Sequence, residues 1–196
     1  TALGRLFVLH DVTEEKQLAT SPPYRLTFVG RWHLHKGVDL LLESLHMLNE
    51  ADWQKIEVVQ ICGGGPLETL VYEQRKRLQD NNRPVTVRGY LEREEVVELL
   101  SCTDYLLLPS RIESIPVIFS DALQTTCPLI ACPIGDIPSL MQDYHVGVLA
   151  SAVTVRAIAR AIHQALQTPP SVYQSHITEL AKEFNVENSV HSLLDY

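Results

Sequence analysis

The residues whose types and spacing could do chemistry begin with Glu113 and Asp121. They flank an otherwise apolar run, Ser110 to Leu123, which reads SRIESIPVIFSDAL. Ile115, Val117, Ile118, Phe119, Ala122 and Leu123 would make a helix apolar nearly all round, which places it in an interior. A carboxylate beside such a helix needs a partner. Pro116 fits the first helical turn, where its missing N–H is no loss, and Ser114 is a candidate cap. A helix N-terminus between two carboxylates suits a phosphate with sugars on either side, because its amides and dipole favour an anion. With Pro116 near the first helical position, Asp121 falls about five residues on, roughly 7.5 Å along the axis. That is about the span from a terminal phosphate back to a ribose. The competing roles are a hydrogen bond from a neighbouring backbone amide for Asp121, and an ion pair with Arg111 or Arg31 for Glu113.

Two further turns could hold phosphate. GRWHLHKG, Gly30 to Gly37, sets Arg31 and Lys36 between a strand and a helix, and Gly30 lets backbone approach a ligand closely. It is not a P-loop, which ends in Gly-Lys-Ser/Thr: here Lys36 precedes Gly37 and no hydroxyl follows. Ordinary surface charge remains the alternative for both cations. His33 and His35 have no third ligand nearby, so no metal is expected, and Trp32 reads as a packing residue. CGGGP, Cys62 to Pro66, lacks the GxGxxG fingerprint because Glu68 stands at its last glycine. Gly64 is either in contact with a ligand or part of a plain turn before a helix.

These turns need a scaffold, and the hydrophobic pattern supplies one. RLTFVG from Tyr24, IEVVQIC, VTVRG, YLLLP (Tyr105 to Pro109), PLIACP and GVLA read as strands. Between them KGVDLLLESLHMLNE reads as one helix, with Val38, Leu41, Leu42, Leu45 and Leu48 on one face. Leu67 to Asp80 and EREEVVELLSC follow as helices, and IPSLMQD as a helical turn. Val155 to Gln167 is amphipathic, with Ile158, Ala161, Ile162, Ala165 and Leu166 toward the core, and Pro169 and Pro170 stop it. Val172 to Phe184 and Glu187 to Leu194 are the last helical segments. Strands apolar on both faces and alternating with helices imply an α/β, Rossmann-like doubly wound, mostly parallel sheet with helices on both faces. Ligands of such sheets sit at the carboxyl ends of the strands.

The chain has 196 residues, 45% hydrophobic and 20% charged, enough for one substantial core. Residues 1–23 read as an N-terminal segment and linker, and 24–196 as the domain. A net charge of -8 argues against a broad nucleic-acid or anionic-membrane surface, so any anion site must be local. The four cysteines form no CxxC pair and fit a reducing compartment. No apolar run approaches the roughly 18 residues of a membrane span. Thr1 stands first, which points to a piece of something longer.

In this order the turns resemble the nucleotide-sugar-binding half of the group 1 family of retaining glycosyltransferases, which have the GT-B fold. The family's GR, KG, GxGP, strand-final G, PS, E and second acid are matched by Gly30-Arg31, Lys36-Gly37, Gly63-Gly64-Gly65-Pro66, Val87-Arg88-Gly89, Pro109-Ser110, Glu113 and Asp121. PLIACPIGDIP and GVLA follow, and FNVENSVHSLLDY is similar to the terminal helix. The resemblance covers about Tyr24 to Tyr196 and implies the C-terminal half of a GT-B fold.

It also implies roles. Arg31 and Lys36 would hold the donor's diphosphate and Glu113 would lie by the transferred sugar. Asp121 would bind the ribose, and the backbone of Tyr90 and Leu91 would pack on the base. Gly30, Gly64 and Ser114 would complete the donor site, and no cofactor or metal is required. The chain departs from the family at Asp121, where Glu is usual, and at Ile115-Pro116, where Phe-Gly is usual. Pro116 has no N–H, so phosphate would rely on the amides of Val117 and Ile118. The expected partners are a nucleotide-diphosphate sugar and an N-terminal acceptor-binding domain in a longer protein, cytoplasmic or membrane-peripheral through that domain. A non-catalytic nucleotide-binding or scaffold domain of the same fold is the alternative.

Overall fold

The computed structural model describes residues 16–113 and 115–183. Strands β1 (Tyr24–Arg31), β2 (Ile56–Gly64), β3 (Val85–Arg88), β4 (Tyr105–Leu108), β5 (Leu129–Ala131) and β6 (Gly147–Leu149) alternate with helices along the chain. Among the described residues they form one six-stranded sheet in the order β3-β2-β1-β4-β5-β6. Every pairing is parallel. This is the doubly wound, Rossmann-like arrangement expected from the sequence.

The side-chain period of a strand explains why β4 is apolar throughout. Tyr105 and Leu107 enter a core shared with α1 (Val38–Leu45), α3 (Glu68–Asp80) and α7 (Val155–Ala165). Leu106 and Leu108 enter the opposite core, with α4 (Arg93–Ser101), α5 (Val117–Gln124), α6 (Ile137–Tyr144) and α8 (Gln174–Glu183). The α7 face expected from the sequence, Ile158, Ala161, Ile162, Ala165 and Leu166, lies in the first core.

Four local expectations are corrected. The helix expected over KGVDLLLESLHMLNE is broken into α1 and a single turn, α2 (Glu50–Trp53). Asn49 is the cause: its Oδ1 accepts the Asp52 N–H at 3.0 Å while its own N–H donates to the Asp52 carboxylate at 3.2 Å, a capping box that starts a new helix. IPSLMQD is more than a turn, since α6 runs eight residues before His145 ends it in a left-handed conformation at φ 51°. The segment expected from Val172 begins as a 3-10 turn, Pro170–Tyr173, and becomes α-helical at Gln174. Pro116 precedes α5 as its N-cap, extended at φ -69° and ψ 144°, instead of sitting in the first turn.

The expected helix over Glu187 to Leu194, the candidate cap Ser114 and the segment up to Glu15 lie outside the described residues. From Lys16 the chain is packed on the domain. The Lys16 ammonium donates to the carbonyls of Leu100 and Thr103, Leu18 is buried, and the Ser171 N–H donates to Ala19 at 3.3 Å. Among the described residues no helix is long and apolar enough to cross a membrane. Cys62, Cys127 and Cys132 are buried free thiols pushed by burial up to about 11, whereas Cys102 is exposed.

Candidate functional site

The strand order reverses between β1 and β4, which are neighbours although β2 and β3 intervene in sequence. The connections leaving their carboxyl ends diverge to opposite faces and leave a crevice at that point. Both connections carry charge into it.

After β1, His33 caps a 3-10 turn, Leu34–Lys36, its Nδ1 accepting the His35 N–H at 3.2 Å. The turn closes on Gly37 and presents Lys36. After β4, the chain runs past Ser110 and Arg111 to Glu113, whose carboxylate pairs with the Lys36 ammonium. The ion pair rival foreseen for Glu113, with Arg111 or Arg31, is thus corrected: Lys36 is its partner. Burial pushes the Lys36 ammonium below the ordinary lysine pKa.

Arg111 has a different task. Its guanidinium forks onto Asp39 at 2.7 and 2.6 Å and donates to the Leu34 carbonyl at 2.6 Å. Its backbone N–H donates to the His35 carbonyl at 2.7 Å. Burial works to raise the Asp39 carboxyl, but the hydrogen bonds and charge of Arg111 outweigh it and hold Asp39 below its usual range. Arg31, at the end of β1, is exposed and makes no ion pair among the described residues. Gly30, one residue earlier, remains inside the strand.

Helix α5 begins four residues after Glu113. Val117 is exposed and Ile118 half-buried, whereas Phe119 to Leu123 are buried, so the expectation of an entirely interior helix holds only for its body. The Phe119 N–H is taken by the Pro116 carbonyl at 2.9 Å. Val117 and Ile118 lie at the end where helix geometry supplies no internal carbonyl.

Asp121 is buried one turn further on, and its carboxylate lies 3.6 Å from the Arg93 guanidinium. The backbone amide foreseen as its rival partner is therefore replaced by a cation. Arg93 opens α4, where a positive charge runs against the helix dipole, and the Asp121 carboxylate offsets that. Burial raises the Asp121 pKa and Arg93 only partly lowers it. A carboxyl whose folded pKa lies above its unfolded value binds its proton more tightly in the folded state, so stability falls as pH rises through that window. Asp121→Asn is accordingly expected to raise the melting temperature at pH 7 by about 2–4 °C, near 1 kcal/mol for a domain of this size. The gain should vanish below the ordinary aspartate pKa. Calorimetric melts at pH 3 and pH 7 check this, and a lower melting temperature at pH 7 would contradict it.

The glycine turn is capped by an aromatic ring. Tyr90, 70% exposed, donates its hydroxyl to the Gly64 carbonyl at 2.7 Å. Its ring lies so close that a Cβ on Gly64 would come within 2.6 Å, so a larger residue there would have to displace the exposed ring. Leu91 follows on the same connection, half-buried. Trp32 is buried edge-to-face against Tyr72, centroids 5.9 Å apart, as a packing residue. The His33 and His35 rings meet at 4.6 Å, and among the described residues no group of three or more His, Cys, Asp or Glu could hold a metal.

Lys36 and Glu113 thus meet between the connections that leave β1 and β4, and α5, which begins four residues after Glu113, carries Asp121 in its buried body. Sequence reasoning missed Arg93 as the partner of Asp121 and the Arg111–Asp39 fork. Those partners lie on different elements, Asp39 and Arg111 being 72 residues apart, and no local spacing signals them.

A family model for glycosyl transferases group 1 matches residues 11–184. A D-inositol 3-phosphate glycosyltransferase of Corynebacterium aurimucosum is 27% identical over 148 residues, 74% of this chain and 35% of that protein. An alpha-D-kanosaminyltransferase of Streptomyces kanamyceticus is 26% identical over 148 residues, 72% of this chain and 36% of that protein. The chain therefore spans about a third of the length of these curated relatives. Among solved structures, Anabaena Alr3699/HepE in complex with UDP superposes with a TM-score of 0.71 at 16% identity, covering 89% of this chain and 50% of that one. WaaG, a glycosyltransferase involved in lipopolysaccharide biosynthesis, gives 0.68 at 18% identity, covering 82% and 43%. The fold is thus that of a Rossmann-like unit of the GT-B glycosyltransferases, and by the extent of the family match the chain belongs to the group 1 family of glycosyltransferases.

Proposed function

We propose that this chain is the donor-binding domain of a retaining glycosyltransferase that moves a hexose-like sugar from a nucleoside-diphosphate carrier to an acceptor held on a separate N-terminal domain. The Lys36–Glu113 pair at the switch point carries the reading. A cation and free helix amides face the place where a leaving diphosphate gathers charge, and a carboxylate stands beside it for the sugar. Groups fixed in that way stabilise the charge that grows as the glycosidic bond breaks. Arg31 adds a second cation, the amides of Val117 and Ile118 reach the distal phosphate, Asp121 takes the ribose, and Tyr90 and Leu91 take the base. With cations and amides supplying the charge, no metal is needed. A similar structure solved with UDP supports a nucleoside diphosphate as the leaving group. The longer protein would work in the cytoplasm, in carbohydrate biosynthesis, reaching a membrane only through its other domain. This chain alone binds donor and transfers nothing.

Titration calorimetry of the chain with UDP, GDP and ADP tests the proposal. At least one should bind, with the same affinity in the presence of a chelator. Lys36→Ala should weaken binding about 10- to 100-fold, the scale of a charge-assisted contact. The reading is lost if none of the three binds, or if Lys36→Ala leaves the affinity unchanged.

A further inference from the structure

The groups that do the chemistry in this crevice come from two connections with no strand ladder between them. Lys36 belongs to a three-residue 3-10 turn and Glu113 to an irregular stretch. An ion pair between long, partly exposed side chains does not fix two loops, because holding both chains in one geometry offsets much of the attraction. Something else must set the Lys36 ammonium at a defined place.

We infer that Arg111 is the positioning residue for Lys36, acting through a fork that grips the lysine turn at both ends. Leu34 and Asp39 bracket Lys36 in sequence, and one guanidinium holds the carbonyl of the first and both carboxylate oxygens of the second. The Arg111 N–H holds the intervening His35 carbonyl. The turn is thus tied at three points to the connection that carries Glu113 two residues later. Planar, bidentate contact fixes direction as well as distance, which a lysine ammonium at this position cannot do. Asp39 is 14% and Arg111 31% exposed in the side chain, close to the values of the Lys36–Glu113 pair, so the hold on the turn comes from the number and geometry of the contacts. The contacts of the Arg111 guanidinium are with Leu34 and Asp39, and neither Lys36 nor Glu113 is among them. Arg111 touches no reacting group and acts through the turn.

The inference rests on the crevice being a diphosphate site, and the experiment separates failure of one from failure of the other. Hydrogen exchange of the 32–38 backbone needs no nucleotide, whereas calorimetry with the nucleoside diphosphate that binds best does. Arg111→Lys keeps the charge and loses the fork; Asp39→Asn is the second variant, should the first unfold. Either is expected to speed exchange in the turn and weaken the diphosphate about tenfold. In the Lys36→Ala background the same substitution should change affinity less than about twofold, because contributions routed through one group do not add. A merely structural role would lower affinity equally in both backgrounds, and that result overturns the inference. Unchanged exchange overturns it too, with the donor-site reading left standing. Failure of the unsubstituted chain to bind any nucleoside diphosphate overturns both.

Discussion

Gly37→Ala is expected to destabilise the domain by about 3 kcal/mol or more and lower its melting temperature by roughly 6–12 °C. Gly37 has φ 70°, a left-handed conformation that costs other residues about 1 kcal/mol or more. Space forbids the change more strongly than conformation does. A Cβ there would lie 1.9 Å from the Pro109 carbonyl oxygen and 2.7 Å from its carbon, both backbone atoms at the end of β4. Gly37 also donates its N–H to Leu34 at 3.1 Å and accepts from Leu41 at 3.0 Å, closing the lysine turn and starting α1. Relief of the overlap must therefore move Lys36 away from Glu113, and diphosphate affinity should fall with stability. Gly89→Ala is the control: nothing lies within 4 Å of its added Cβ and its φ is ordinary, so its melting temperature should equal the parent's or exceed it by about 1–4 °C. Equal melting temperatures for the two variants would refute the account.

The sheet was legible because its signals are local. Apolar runs bounded by turn residues marked all six strands, and the two-sided burial of YLLL followed from its being apolar throughout. Boundaries failed where a single side chain competed for the backbone. Asn49 broke one expected helix with its capping box, and Pro116 stands outside α5 because its extended ψ suits a cap better than a turn. The charged partners were less legible. Lys36 and Glu113 are 77 residues apart and meet because the strand order brings β1 beside β4, a property of topology that neither motif contains. Arg93 reaches Asp121 by the same kind of juxtaposition, across the packing of α4 on α5. Residue type marked these acids and bases as candidates, but their choice of partner was not readable.

That partnership makes Glu113 and Lys36 distinguishable by the sign of their effects. On the proposed donor site, a nucleoside diphosphate entering the crevice has to take Lys36 from Glu113 and sit close to a carboxylate of its own charge. Glu113→Gln removes both costs and is expected to tighten bare nucleoside diphosphate about 3- to 10-fold, near 1 kcal/mol for partly screened charges at this separation. Lys36→Ala weakens the same ligand. Stability should hardly register the glutamine, since side chains 33% and 20% exposed form a pair worth at most about 1 kcal/mol. If the proposed acceptor domain stands on the same protein, the order is expected to reverse there. Glu113→Gln should then lower sugar transfer about 100-fold or more while diphosphate inhibits more strongly, because in the proposed role the carboxylate serves a transition state that diphosphate alone does not resemble. Calorimetry on this chain and initial rates on the longer one read the two signs separately. Weakening of bare diphosphate by both substitutions would mean that Glu113 only holds Lys36 in place and has no electrostatic quarrel with the leaving group.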